Sequence, residues 1–329
     1  MQLQTLIDIK QELNITYNSK IMMFGSCFSE HIGNRLQSIK FSVLNNPLGI
    51  LFNPFSIAQT IERIILKSTY LEDELFEQEG IWNCFSLHSR FSSLSKKLFL
   101  QNANQKLDEA HEFLKSADYL FITLGTAWVY TLVETGVVVA NCHKMPSQLF
   151  LRSRKSVEEM VEKWESMMNQ LRAFNPNLKL IFTVSPIRHW KDGAHDNQLS
   201  KSSLLLLIDE IRQKFEGITY FPAFEIMMDE LRDYRFYAED MIHPNSLAIN
   251  YIWEKFSLFS FDEKVKEEIK EFEKISQAVA HKPFNPQSHS YQKFKENSLQ
   301  QIAQLQKKYP HIDFHKEIHI FSDDAVSIG

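Results

Sequence analysis

Apolar and polar residues follow two different rhythms along this chain, and the rhythms take turns. Ile21-Met22-Met23-Phe24 is a short apolar run closed by Gly25, the form of a parallel strand buried on both faces. After it, Ile32, Leu36 and Ile39 recur at helical spacing, with Ser29 near the start of that helix. Residues 41–44 predict a second strand, and Pro54 opens a helix carrying Ile57, Ile61, Ile64 and Ile65 on one face. Residues 68–104 are the least regular stretch and predict a large surface excursion. A helix around Leu107, Ala110 and Leu114 then leads into a third core strand, residues 119–124. Residues 128–133 and 137–140, joined at Glu134-Thr135-Gly136, predict a hairpin. Ser156 and Glu159 form a capping-box pattern before a helix with Val157, Met160, Val161, Trp164 and Met168. Residues 180–184, ended by Pro186, predict the fourth core strand. A helix over 200–215, closed by Gly217, leads to the fifth at 218–221.

Strands alternating with helices predict parallel βαβ units in a three-layer α/β/α sandwich with a mainly parallel five-stranded sheet. Ligands of such sheets bind beyond the carboxyl ends of the strands. That rule brings Ser26, the residues after Leu44, Thr126, Ser185 and the loop near Asp240 to one edge. The tail differs in character. Val265, Ile269, Phe272, Ile275 and Val279 mark an amphipathic helix; a Pro-containing linker over 281–286 precedes a charged helix running to Lys308. Ile312, Phe314 and residues 318–321 predict an edge strand. The expected organisation is a core domain of residues 1–260 and a helical extension, 261–329, packed on it.

Composition changes this picture little. The 329 residues are 44% apolar and 23% charged, an ordinary globular balance, and the 26 phenylalanines point to a large aromatic core. A net charge of -5 with both signs mixed gives no footprint for nucleic acid or an anionic membrane. The first twenty residues lack a basic segment followed by an apolar one, so no signal peptide is expected. The apolar run at 204–208 is too short to span a bilayer. Three cysteines, an odd number without framework spacing, complete the expectation of a cytoplasmic protein.

Two short segments carry candidate chemistry. Gly25-Ser26-Cys27-Phe28 stands at a strand end and helix start, where a hydroxyl is exposed beside backbone N–H groups and the helix dipole. A serine hydroxyl needs an adjacent base to act as nucleophile; without one, Ser26 is simply a helix cap. Asp240-Met241-Ile242-His243 offers a base and a carboxylate that reaches back to fix its tautomer, or else an ordinary surface turn. Cys27 is the alternative nucleophile, although one residue from Ser26 its side chain points elsewhere. Cys84, His88, Cys142 and His143 match no usual zinc spacing, and no Gly-rich phosphate loop is present, so neither metal nor cofactor is expected.

With these residues in view, the chain resembles the GSCFA family through Gly25-Ser26-Cys27-Phe28-Ser29, Asn46-Pro47-Leu48-Gly49, Leu124-Gly125-Thr126-Ala127, Asn141-Cys142-His143-Lys144, Ser185-Pro186-Ile187-Arg188 and Asp240-x-x-His243. That family is similar to the SGNH, or GDSL-like, hydrolases. The resemblance covers residues 20–260 and implies a flavodoxin-like sheet, Ser26 as nucleophile, and Asp240 with His243 as its partners. It also implies an oxyanion hole from the Ser26 and Gly49 N–H groups. Relatives commonly read Gly-x-Asn where this chain reads Gly125-Thr126-Ala127; Thr126, Asn46, or Asn141 and His143 are the expected substitutes for that donor. Arg188, His189, His143, Asn141 and His88 are expected to bind substrate. The implied activity is hydrolysis of an acyl ester, such as a short acyl group on a carbohydrate. The alternatives are acyl transfer to a hydroxyl and a binding module without activity.

Overall fold

The computed structural model describes residues 5–322; residues 1–4 and 323–329, the last part of the expected extension, lie outside the described residues. The first half runs β1 (Lys20–Gly25), α1 (Cys27–Ser38), β2 (Ser42–Asn45), α2 (Pro54–Leu66), β3 (Leu75–Gln78), β4 (Ile81–Cys84), α3 (Lys96–Lys115) and β5 (Tyr119–Leu124). There follow β6 (Trp128–Leu132), β7 (Val138–Val139), β8 (Phe150–Arg154), α4 (Val157–Phe174), β9 (Lys179–Val184), α5 (Gly193–Lys214) and β10 (Ile218–Tyr220). The chain continues through α6 (Ala223–Glu225), α7 (Ser246–Ser260), α8 (Glu263–Ala280), α9 (His289–Lys308) and α10 (His315–Phe321).

Five strands build one parallel sheet in the order β10-β9-β5-β1-β2. Its centre is apolar on both faces, so each strand supplies two cores at once. Met22, Phe24, Ile122, Phe182 and Val184 face α2, α3, α4 and α5, whereas Ile21, Met23, Phe121 and Ile181 face α1, α7 and the tail. Gly25 lies opposite Thr123, and Leu124 opposite Val184, so β1, β5 and β9 end level with one another. This alignment is what gathers distant loops at the carboxyl edge.

Local signals set the helix starts. Ser156 accepts the Glu159 N–H at 3.2 Å while Glu159 accepts the Ser156 N–H at 2.9 Å, a closed capping box. The tail joins the second core through aromatic stacking: Tyr17 stands 4.3 Å from Phe41 and 4.2 Å from Phe272, centroid to centroid. No described helix is long and apolar enough to cross a membrane.

Three expectations are corrected. The stretch 68–104 is not merely a surface excursion: Tyr70, Cys84, Leu87 and Phe99 enter the first core, β3 and β4 pair as a hairpin, and α3 starts at Lys96 under a Ser95 cap. Residues 318–321 form the end of α10, not an edge strand, because Phe314, Ile318 and Phe321 recur at helical spacing and Phe314 and Phe321 are both buried. The hairpin of β6 and β7 gains a third strand, β8, whose Arg152 and Arg154 hid it from hydropathy.

Candidate active site at the carboxyl edge of the sheet

β1 delivers Ser26. Gly25 ends the strand at φ 144°, and a Cβ there would stand 2.3 Å from the Thr123 carbonyl oxygen, so only glycine lets β1 pass β5 this closely. The chain then enters α1 with Ser26 as its N-cap, its Oγ accepting the Phe28 N–H at 3.3 Å. The hydroxyl is buried and donates to Ser185 Oγ at 3.0 Å, just past the end of β9. Ser185 Oγ also accepts the Ile187 N–H at 3.3 Å. Burial, and then Glu30, raises the neighbouring Cys27 thiol above its ordinary pKa, which disfavours the thiolate.

The loop after β2 closes over this corner. Asn46 is fully buried at φ 44°; its Oδ1 accepts the Gly25 N–H at 2.9 Å, while its Nδ2 has no partner. Its carbonyl accepts the Gly49 N–H at 2.9 Å and an Arg90 guanidinium N–H. The Gly49 N–H expected at an oxyanion is therefore engaged in this turn. Leu51 donates to the Gly25 carbonyl at 3.1 Å, binding the loop to the end of β1.

The third element is the loop before α7. Asp240 Oδ2 lies 2.5 Å from His243 Nδ1, and Oδ1 accepts the N–H groups of Ile242 and His243, each at 2.9 Å. These bonds, that from the His243 N–H first, hold the Asp240 carboxyl down to about 2. The tautomer that donates through Nδ1 leaves Nε2 as a base. The pair is nearly half exposed, and among the described residues no hydrogen bond joins His243 to Ser26.

Arg188, expected at the substrate, is committed to this loop instead. Its guanidinium donates to the Met241 carbonyl, where the backbone turns left-handed at φ 59°, and lies 4.5 Å from the Tyr237 ring and 4.9 Å from that of Trp190. The segment 185–189 thus touches Ser26 at one end and carries the His243 loop near the other.

Beside this junction opens a cavity of about 490 Å³, walled by Ile50, Phe52, His88, Thr126, Trp128, Tyr130, Asn141, Arg152, His189 and Asp192 among others. Ser26 is not on its wall; Leu51, between the wall residues Ile50 and Phe52, donates to the Gly25 carbonyl, and Ser185, four residues before His189, accepts from Ser26. Of the expected site residues, His88, Thr126, Asn141 and His189 line the cavity. Thr126 Oγ1 is engaged with the Trp128 N–H and Ser200 Oγ, both at 3.1 Å, and Asn141 Oδ1 accepts the His143 N–H at 2.8 Å. His88 Nδ1 accepts the Arg90 N–H at 3.2 Å. His143 does not line the cavity: its Nε2 meets the carbonyls of Cys84 and Leu87 at 2.8 and 3.1 Å, a structural bond.

Sequence reasoning missed several polar groups here. Arg152 pairs with Asp192 at 2.6 Å and lies 4.3 Å from the Trp128 ring. Lys201, fully buried, donates from Nζ to the Gly125 and Ser185 carbonyls, each at 2.8 Å, and burial lowers it to about 7. Its signal was present: Lys201 precedes Leu204, Ile208 and Ile211 on one apolar helix face. No group of three or more His, Cys, Asp or Glu side chains suited to a metal ion occurs among the described residues.

The GSCFA family model matches residues 20–256, and that of a GSCFA domain protein's C-terminal domain matches residues 272–324. No curated protein matches the chain. Among solved structures, it is similar to a carbohydrate esterase family 3 from Talaromyces cellulolyticus, at 10% identity and TM-score 0.37, covering 77% of this chain and 98% of that one. A second similarity, at 13% identity and TM-score 0.36, is to an acetyl xylan esterase from Butyrivibrio proteoclasticus, covering 74% of this chain and 66% of that one.

Proposed function

The chain belongs to the GSCFA family, and from that premise and the geometry at the end of β1 we propose that it is a serine esterase acting through Ser26, His243 and Asp240. One observation carries the reading: an Asp240–His243 pair is anchored by Arg188 on the same short segment whose Ser185 holds the Ser26 hydroxyl. In the reaction, Ser26 Oγ leaves Ser185 and adds to the acyl carbon while its proton passes to His243 Nε2. Asp240 steadies the imidazolium. The carbonyl electron pair moves to oxygen, opposite the Ser26 N–H at the start of α1 and the unpartnered Asn46 Nδ2. Collapse breaks the ester C–O bond, and the departing alcohol takes the proton from His243. Water then adds to the acyl carbon by the same route and releases Ser26.

The substrate of this reading is an acylated carbohydrate. The cavity has the size of a small-ligand site, and it combines the rings of Trp128 and Tyr130 with Arg152, Asp192 and His189. That mixture suits a ring that is apolar on its faces and hydroxylated at its rim.

The absence of a Ser26–His243 bond favours a second reading, a binding module without catalysis. Turnover of p-nitrophenyl acyl esters of increasing length separates the two. Wild-type hydrolysis without an added acceptor, lost in Ser26→Ala, supports the esterase over both a binding module and a dedicated transferase. No turnover on any ester refutes it.

A further inference from the structure

Any oxyanion formed at Ser26 needs donors already in place and not spent on the protein. Most candidates near Ser26 fail that condition. The Gly49 N–H is bonded to Asn46, the Thr126 hydroxyl to Ser200 and Trp128, and the Gly125 N–H to the Phe52 carbonyl at 2.8 Å. His189 meets it: its ring lines the cavity, and neither ring nitrogen has a hydrogen bond among the described residues.

The position of that ring is defined. Its Nε2 would stand 3.3 Å from a Cβ added at Gly125, so it occupies the space that the glycine leaves open. Gly125 follows the last residue of β5, and β5 is the direct neighbour of β1, with Gly25 opposite Thr123. His189 Nε2 therefore sits against the residue that follows β5, the strand paired with β1, at the same carboxyl edge of the sheet as Ser26. The ring is held from behind. The backbone N–H of His189 donates to Asn197 Oδ1 at 2.9 Å, and the ring meets Phe52 edge-on at 6.1 Å between centroids.

We propose that the His189 imidazole, seated against Gly125, donates a side-chain hydrogen bond to the oxyanion formed at Ser26. The assignment rests on the esterase reading and adds a catalytic residue to it. The imidazole acts as a neutral donor, since burial first and the buried Lys201 next hold it uncharged, its pKa lowered to about 4. Asp192 opposes this shift, and Arg152 and His243 add to it. With one proton on a ring that has no protein partner, the tautomer is free to follow the oxyanion.

The test uses the full chain with p-nitrophenyl acetate. His189→Phe keeps a flat ring without a donor, and His189→Gln restores a donor. The phenylalanine variant should lose about 100-fold or more in kcat with KM changed less than about threefold, and the glutamine variant should recover part of it. The shape of the pH–rate profile should stay that of wild type in both, since His189 supplies no titrating base. Should the phenylalanine variant not fold, His189→Ala against His189→Gln makes the same comparison. Turnover within threefold of wild type in the donorless variants, with Ser26→Ala inactive, overturns this assignment alone. Absence of turnover in wild type overturns the esterase reading and this assignment together.

Discussion

The Ser26 hydroxyl donates to Ser185 Oγ across 3.0 Å, and this bond stands where the proposed mechanism calls for a bond to His243. A neutral hydroxyl pair contributes about 0.5–1.5 kcal/mol, so breaking it is a small part of any barrier. Ser185→Ala should therefore leave activity intact or raise kcat by up to about fivefold, because Ser26 loses the acceptor that competes with His243. A tenfold fall in kcat would instead make Ser185 a participant in the proton path.

Asp240→Asn keeps the size of the side chain but puts an amide where Oδ2 faces His243 Nδ1. The amide N–H would favour the tautomer protonated at Nε2, the wrong one for a base. Steady-state kinetics should show kcat lowered on the order of 10⁴-fold with little change in KM.

Arg188→Ala separates two roles for one side chain. As an anchor for the Met241 carbonyl, its loss should let the His243 loop drift, lowering kcat on the order of 100-fold while KM stays nearly constant. A substrate contact would show the opposite split, with KM rising first. Arg188→Lys should rescue poorly, since a lysine lacks the planar group that lies against Tyr237 and Trp190.

Lys201 makes stability depend on alkaline pH. Burial lowers its folded pKa to about 7 from an unfolded value near 10.5, so the unfolded chain binds the extra proton between those limits. Stability attributable to this group is lowest below pH 7 and grows as pH rises toward 10.5. The slope should approach about 1.4 kcal/mol per pH unit between pH 8 and 9. Denaturant unfolding of Lys201→Met at pH 7, 8 and 9, compared with wild type, should show that slope removed. An identical slope in both proteins would contradict the assignment.

The sheet was legible because its strands are apolar runs punctuated by Gly25, Pro186 and Gly217, and because a parallel sheet leaves few ways to connect them. β8 was not, since two of the three residues on one face of Phe150–Arg154 are arginines: Arg152 lies against Trp128 and Tyr130, and Arg154 donates to Ser203 Oγ. At the site, the place of Ser26 between β1 and α1 and the contact of Asp240 with His243 were readable from local turn chemistry. What the groups around them do was not readable. Arg188 and Thr126 have the right chemistry for substrate or oxyanion, yet each bonds to a neighbour far away in the chain, Arg188 to the Met241 carbonyl and Thr126 to Ser200. Such bonds depend on tertiary packing, which leaves no periodic signature.

The most direct test of the account is to treat the wild-type protein with a fluorophosphonate and locate the adduct by mass spectrometry. The account predicts a single phosphonylated residue, Ser26, with labelling abolished in Ser26→Ala and strongly slowed in His243→Ala. Labelling that persists in Ser26→Ala, or an adduct on another residue, would contradict it.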